Sequence, residues 1–393
     1  MGLSSGEPDH ARCRHVPDRR SDQPEAPARL CQGRGRARAA NRLITTFVLW
    51  LSVLFWAGGA GADTLRLATW NVELSRAGPG ILLRDLRRGD AQADAVAEII
   101  ADHAPDILLL QGVDHDADHL ALLALQSRIA QAGYSLPYRY APPPNSGLAS
   151  GHDLDGDGRL GEPEDAQGFG RFRGEGGMAL LSRYPIAAAQ DLSGFLWVDL
   201  PHALLFEDTG APLFPAAVLR DLRLASVAQW RVEVTAPQGR ITLFAFHAGP
   251  PVFDGPEDRN GRRNHDQLMF WQHVLAGELD GGLGPMPEGR FVLMGDANQD
   301  PQRGEGRKAA IRTLLGDPRL QDPRPSHGDG TEMTTVHWPQ TGPMRVDYIL
   351  PSRDWEVAAS GVHWPKTGPN TGPEAARAEA ASRHRLVWVD LTW

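Results

Sequence analysis

Between residues 64 and 393 the chain repeatedly ends a short apolar run on a polar residue. Asn71 follows "ATW", His247 follows "LFAF", and Asp296 and Asn298 follow "FVLMG". Asp347 stands in "RVDYIL", and His384 opens "HRLVWVDLTW". Side chains alternate along a strand, so polar residues at strand ends can converge on one edge of a sheet. The run "TLRLATWNVEL" (64–74) alternates like a half-buried strand. "QADAVAEIIADHAPDILLLQGV" reads as a helix closed by Pro105, then a buried strand over 106–111. Further strands are expected in 176–186, 240–250, 290–301, 344–352 and 384–393, and a helix over 264–279. The pattern predicts mixed α/β layers with a site along one sheet edge. Singly, each polar residue is an ordinary turn or loop residue. The signal is the ordered set.

In this order the blocks "LRLATWNVE", "PDILLLQ", "GGMALLSRYPI", "FAFHAGPP", "FVLMGDANQDP", "RVDYILPS" and "SRHRLVWVDL" resemble the endonuclease/exonuclease/phosphatase superfamily, the deoxyribonuclease I-like metal hydrolases. The resemblance implies one large domain, a four-layer α/β sandwich of two mixed β-sheets flanked by helices. It implies hydrolysis of phosphoesters with Mg²⁺ or Mn²⁺. By the same resemblance Asp296 orients or deprotonates the attacking water and Asn298 positions the phosphate. His247 donates to a phosphoryl oxygen, Asn71 helps hold the metal, and Asp347 partners the metal or a histidine. His384 contacts the phosphate or the nucleophile. Such groups are what in-line attack on phosphorus needs: an activated water, positive charge, and donors to the phosphoryl oxygens.

Two positions depart from the family pattern. The principal metal glutamate would follow Gln111, where this chain has Gly112, and the triplet Ser-Asp-His is here Ser382-Arg383-His384. Asp114 lies on the same strand face as Gly112, roughly 6–7 Å further on, and is expected to supply the missing carboxylate; Asp116 and Glu73 are the other candidates. A glycine at 112 is expected to leave room for such a neighbour. Arg383 is expected to bind substrate, since a guanidinium is a good bidentate phosphate donor. The functional reading is a phosphoester hydrolase with a rewired site. The alternative is an inactive or ligand-binding descendant of the same fold.

"DLDGDGRLGEPE" has the spacing of an EF-hand-like calcium loop. Asp153, Asp155, Asp157, Gly158, Arg159 and Glu164 fall at positions 1, 3, 5, 6, 7 and 12, which wrap one Ca²⁺ in oxygen ligands around a glycine turn. No amphipathic helix flanks it, so it reads as an isolated clamp within an insertion at about 141–176. After His247, "AGPPVFDGPEDRNGRRNHDQ" reads as a loop whose Arg262 and Arg263 are expected to bind substrate.

Residues 1–62 read as an N-terminal extension and secretory signal peptide. Arg42 precedes the apolar stretch 43–62, which ends Ala60-Gly61-Ala62. A membrane anchor is the alternative. Cleavage would remove both cysteines, Cys13 and Cys31, and leave residues 63–393 as the folded domain, periplasmic or secreted. The removed part carries nine Arg and five acidic residues, so a net charge of -9 becomes -13. That balance argues against broad non-specific affinity for nucleic acid and suits a protein that collects cations. The expected partner is a phosphoester, whether nucleic acid, nucleotide, phospholipid or small phosphate. No protein partner is expected, and the chain is expected to be a monomer.

Overall fold

A computed structural model describes residues 64–279, 289–328, 330–365 and 372–393. All of them fall in the compact unit Ala60–Trp393. The leader expected over residues 1–62 lies outside the described residues. Among the described residues no helix is long and apolar enough to cross a membrane.

Two mixed sheets carry the fold. The first contains β1 (Thr64–Leu74), β2 (Ile107–Val113), β3 (Tyr138–Tyr140), β4 (Gly177–Ser182), β12 (Glu356–Val362) and β13 (Val387–Thr392), in the order β12-β13-β1-β2-β4-β3. The second contains β5 (Ile186–Asp191), β6 (Ala228–Ala236), β7 (Gly239–His247), β8 (Phe291–Asp296) and β11 (Asp347–Pro351), in the order β11-β8-β7-β6-β5. Only β1–β2 and β7–β8 are parallel pairs; the other pairs are antiparallel. A small hairpin joins β9 (Val336–Trp338) to β10 (Gly342–Met344).

Strand periodicity sorts the core into three slabs. Leu65 and Leu67 of β1, Ile107 and Leu109 of β2, and Met178 and Leu180 of β4 meet Trp230, Val232, Leu243 and Val292 between the sheets. The intervening residues Ala68, Trp70, Leu108, Leu110 and Leu181 face the other way. There they pack on α1 (Ile81–Arg88), α2 (Ala91–His103), α3 (Leu120–Gln131) and α7 (Pro373–Ala381). The second sheet is covered by α5 (Arg259–Ala276) and α6 (Ala309–Leu315), with the short α4 (Ala216–Leu219) beside them. The first strand is therefore not half-buried, as its alternation suggested. It is buried on both faces from Leu67 to Val72, Thr69 and Asn71 included, and the half-buried Arg66 ahead of this stretch pairs with Asp390 at 2.7 Å. The helix expected over 264–279 begins five residues earlier, so Arg259 to Arg263 form its first turn and not a loop.

Beyond β12, His363 is buried edge-on against His103, with ring centroids 4.8 Å apart. Burial first, then the positive charges of His103, Arg377 and Arg385, push it down to about 3, against a small opposing pull from Asp102. The unfolded chain takes up this proton near pH 6.5 and the folded chain does not, so its contribution is present above pH 6.5 and is lost as pH falls toward 3. By pH 5 the loss is about 2 kcal/mol. His363→Gln, melted at pH 7 and pH 5, is expected to lose less stability across that interval than wild type. Equal losses would count against it.

Candidate active site

Register assembles the site. His247 of β7 pairs directly with Asp296 of β8, and Asp296 pairs directly with Asp347 of β11. Directly paired residues project to the same face, so three strands present one His-Asp-Asp row. Asn71 and His384 close over this row from the other sheet. Asn71 Nδ2 donates to Asp296 Oδ2 at 3.0 Å, and His384 Nδ1 lies 3.0 Å from Asp347 Oδ2 and 4.0 Å from Asp296 Oδ2. His247 Nε2 lies 3.6 Å from Asp296 Oδ2. Asn298, just beyond β8, has φ 49°. Its backbone N–H donates to Asp296 Oδ1 at 2.8 Å, and its side-chain amide donates to the Ala248 carbonyl at 2.9 Å. The loop thus holds the carboxylate and ties itself to the end of β7.

The environment drives these groups apart in protonation. Burial, then the charge of Asp347, raises Asp296 to about 7, against the pull of His384 and the hydrogen bonds from Asn71 and Asn298. Burial, with help from His384, lowers His247 to about 3. Burial would lower His384 too, but the charge and hydrogen bond of Asp347, then Asp296 and Glu73, outweigh it and raise it to about 9. At neutral pH the site therefore sets a neutral imidazole on one side of Asp296 and an imidazolium on the other. Such divergence marks acid–base chemistry more often than structural packing.

Asp296, Asp347 and His384 offer ligand atoms all within 4.8 Å of one another. Asp347 Oδ1 and His247 Nδ1 are buried and without a partner. A buried carboxylate oxygen left bare is costly unless a cation or donor meets it. The bare Asp347 oxygen fits a divalent ion, while His384, protonated against Asp347, does not serve as a ligand.

The position of the expected glutamate is closed. Gly112 has φ 71°, and a Cβ there would lie 2.5 Å from Asn71 Oδ1 and 3.0 Å from the Glu73 backbone nitrogen. The β1–β2 register shifts at the same place, and Glu73 opposite has φ 49°. The space expected above Gly112 is thus filled by Asn71 and by the bulged backbone of Glu73. Asp114 is not part of the site group. Its oxygens accept from the backbone N–H groups of Arg76 at 2.8 Å and Gly176 at 3.0 Å, which pins two loops.

Glu73 is instead the carboxylate that answers Arg383. Glu73 Oε1 accepts from Arg383 Nε at 2.8 Å, and Oε2 accepts from the Arg383 backbone N–H at 2.8 Å. The Ser382 hydroxyl donates to the Asn71 carbonyl at 2.7 Å, with Glu73 Oε2 3.1 Å away. Burial would raise Glu73, but the Arg383 hydrogen bonds and the charge of His384 hold it below the usual carboxylate range. The departure at Arg383 is therefore matched within this chain: a cation stands where an acid was expected, and an acid on β1 binds it.

Arg262 is also placed elsewhere. It is buried, donates to Asp208 Oδ1 at 2.7 Å and to the Glu257 carbonyl at 3.1 Å, and fastens loops together. Arg263 donates to the carbonyls of Leu224, Arg223 and Gln167 and lines a cavity that reaches His247.

In the insertion, the acids that gather are Asp153, Asp155 and Asp165. Asp157 and Glu164 are not in that group. Pro163 opens a 3₁₀ turn over Pro163–Asp165, which draws the Asp165 carboxylate inward to the N–H groups of Leu154 at 2.7 Å and Gly161 at 2.9 Å. Glu164, at the position the spacing favoured, is exposed. The Arg159 side chain reaches Glu162 Oε1 at 3.1 Å. Proline at 163 was the sequence signal for that shift.

A model described as "Endonuclease/Exonuclease/phosphatase family" matches residues 68–384. Among solved structures, an endonuclease/exonuclease/phosphatase from Beutenbergia cavernae aligns with a TM-score of 0.51 at 18% identity, over 84% of this chain and 71% of its own. A family protein from Leptotrichia buccalis aligns with a TM-score of 0.48 at 17% identity, over 84% of this chain and 100% of its own. Sphingomyelinase C from Streptomyces griseocarneus aligns with a TM-score of 0.46 at 17% identity, over 84% of this chain and 99% of its own. No curated protein sequence matches the chain.

Proposed function

The chain belongs to the endonuclease/exonuclease/phosphatase family, whose members are typically phosphoester hydrolases, and from that premise we propose that it hydrolyses phosphoesters with Asp296 as the base that activates water. The observation that carries the proposal is the row His247–Asp296–Asp347 capped by His384, with Asp296 lifted to about 7. A base poised near the working pH takes a proton efficiently and gives it up again. Asp347 holds His384 protonated, so a fixed positive charge stands 4.0 Å from the base, where it offsets charge developing on the phosphoryl oxygens. Asn71 and the Asn298 backbone orient Asp296. His247, neutral, offers an N–H without adding charge. Water attacks phosphorus, the ester P–O bond breaks, Asp296 takes the proton from water, and the departing oxygen is protonated from solvent.

We read Asp347, whose Oδ1 is buried and without a partner, as the group that would hold Mg²⁺ or Mn²⁺, which when bound would supply Lewis-acid stabilisation of the phosphoryl group. The competing reading, an inactive binding descendant, draws on Gly112 and on Glu73 being engaged by Arg383 and Ser382. Hydrolysis of bis(p-nitrophenyl) phosphate and of plasmid DNA in Mg²⁺, Mn²⁺ or Ca²⁺ separates the two. Metal-dependent turnover is expected, reduced about 10²-fold or more in His247→Ala. Absence of turnover together with absence of Mn²⁺ binding would favour the descendant.

We further propose that Asp153, Asp155 and Asp165 clamp a Ca²⁺ ion in the insertion, that the protein is a monomer, and that its leader directs it out of the cytoplasm. Ca²⁺ is expected to raise the melting temperature, and Asp165→Asn to remove most of that gain. Superimposable melting curves in Ca²⁺ and in chelator would sink the clamp.

A further inference from the structure

Beside His247 lies a cavity of ≈ 700 Å³, within the roughly 300–1,000 Å³ typical of pockets for small organic ligands. Its inner wall is apolar: Trp197, Phe214 and Leu222 are all buried. Phe169 and Phe253 also line it, and they are 64% and 88% exposed. Two phenylalanines left this open to water at one cavity are a costly arrangement unless something apolar meets them.

Charge is distributed unevenly around the cavity. Asp155 and Glu164 stand on the wall made by the insertion. Arg263 stands on α5, one turn before Gln267, whose Oε1 holds the Gly249 N–H at 2.8 Å just beyond His247. Burial lowers Arg263 to about 10 with no acidic group contributing, so it is a cation at neutral pH whose bonds run only to backbone carbonyls. The charged groups, Glu175 and Arg259 among them, thus lie around a wall whose inner surface is apolar and aromatic, and Arg263 adds a buried cation to it.

We infer that this cavity holds the organic group of the substrate, and that the substrate is a phosphoester of an apolar aliphatic alcohol. The phosphate lies at the His247 end, and the apolar body lies between the Trp197–Phe214 wall and the two exposed phenylalanines. The assignment rests on the hydrolase reading above and narrows it: highly polar esters leave most of this surface wet. The walls come from the insertion and the segment around 197–222, which the sheets alone do not supply.

The test compares p-nitrophenyl methyl phosphate with p-nitrophenyl hexyl phosphate, which share a leaving group and differ only in the group the cavity would take. It also compares binding of methylphosphonate and hexylphosphonate by calorimetry, which needs no turnover. The full chain is used, beside a double variant Phe169→Ser, Phe253→Ser, whose exposed sites tolerate polar residues. The expected result is a preference for hexyl of about tenfold or more in kcat/KM and in affinity, the effect of burying about two methylene groups, shrinking toward unity in the double variant. Equal turnover of both esters with equal phosphonate binding overturns the cavity assignment and leaves the hydrolase reading standing. A hexyl preference unchanged in the double variant also overturns it. Failure to turn over either ester, with hexylphosphonate still bound about tenfold tighter than methylphosphonate, overturns the hydrolase reading and upholds the apolar cavity.

Discussion

Asp296→Asn is expected to abolish hydrolysis and at the same time make the protein harder to melt. The side chain is fully buried, and burial together with the charge of Asp347 lifts its carboxyl to about 7. An ionised Asp296 is therefore held against its preference, which is the usual cost of a functional group. The amide is isosteric and can still accept from the Asn298 N–H, but it cannot take a proton from water. Loss of a positioned base lowers kcat by about 10²–10⁴-fold. Relief of the like-charge contact raises the melting temperature at pH 8, where the wild-type carboxylate is ionised. Steady-state kinetics and calorimetry on one preparation check both. Retained kcat would remove Asp296 from the chemistry. A fall in melting temperature would mean that its hydrogen bonds with Asn71 and Asn298 outweigh the repulsion.

The second large effect runs against the obvious repair. Gly112→Glu restores the residue that the family pattern places after Gln111, and it is expected to weaken the protein and lower its activity. A side chain at φ 71° is strained whatever the space, at roughly 1–2 kcal/mol. Its Cβ would also press on Asn71 Oδ1 at 2.5 Å, and Asn71 is the residue that orients Asp296. Together the expected loss is about 2–4 kcal/mol. Gly112→Ala separates the terms, because it carries the strain and the clash without a carboxylate. If Gly112→Glu melted with wild type and turned over faster, the bulge would be plastic, and the site would be an ordinary one that had lost a residue. If both variants are destabilised, the β1–β2 bulge is built around glycine, and Glu73 and Arg383 belong to a different arrangement of charge.

The parts of this site visible in the sequence were those set by local pattern. Apolar runs ending in His247 and Asp296, and one opening at Asp347, gave strands, and a strand end has few places to go, so the row followed from the blocks and their order. What pattern does not carry is long-range pairing. Glu73 and Arg383 stand 310 positions apart, and nothing near either one names the other. The bulge that brings Glu73 round depends on positive φ at Glu73 and Gly112 on adjacent strands. Strict alternation therefore pointed to Asp114, which faces two backbone amides. Arg262 and Arg263 looked alike because they were read as loop residues. In a helix, neighbours lie about 100° apart, which sends one to Asp208 and the other toward the cavity. In the insertion, ligand spacing was read as if the loop ran on unbroken to position 12, whereas a proline turn moved the inward carboxylate by one residue.

One feature of the first sheet bears on how the chain reaches this state. β13 does not sit at an edge; it lies between β12 and β1, pairing Thr64 with Thr392 and Thr69 with Val387. The first described strand therefore pairs on one side with nearby β2 and on the other with a strand at the far end of the described residues. Contacts of such long sequence separation close slowly, and until they close an unpaired strand edge lies open. His384, three residues ahead of β13, reaches Asp347 only after that closure. Until it closes, the His-Asp-Asp row stands without its imidazolium cap, so the return of hydrolysis on refolding would report the closure of the first sheet.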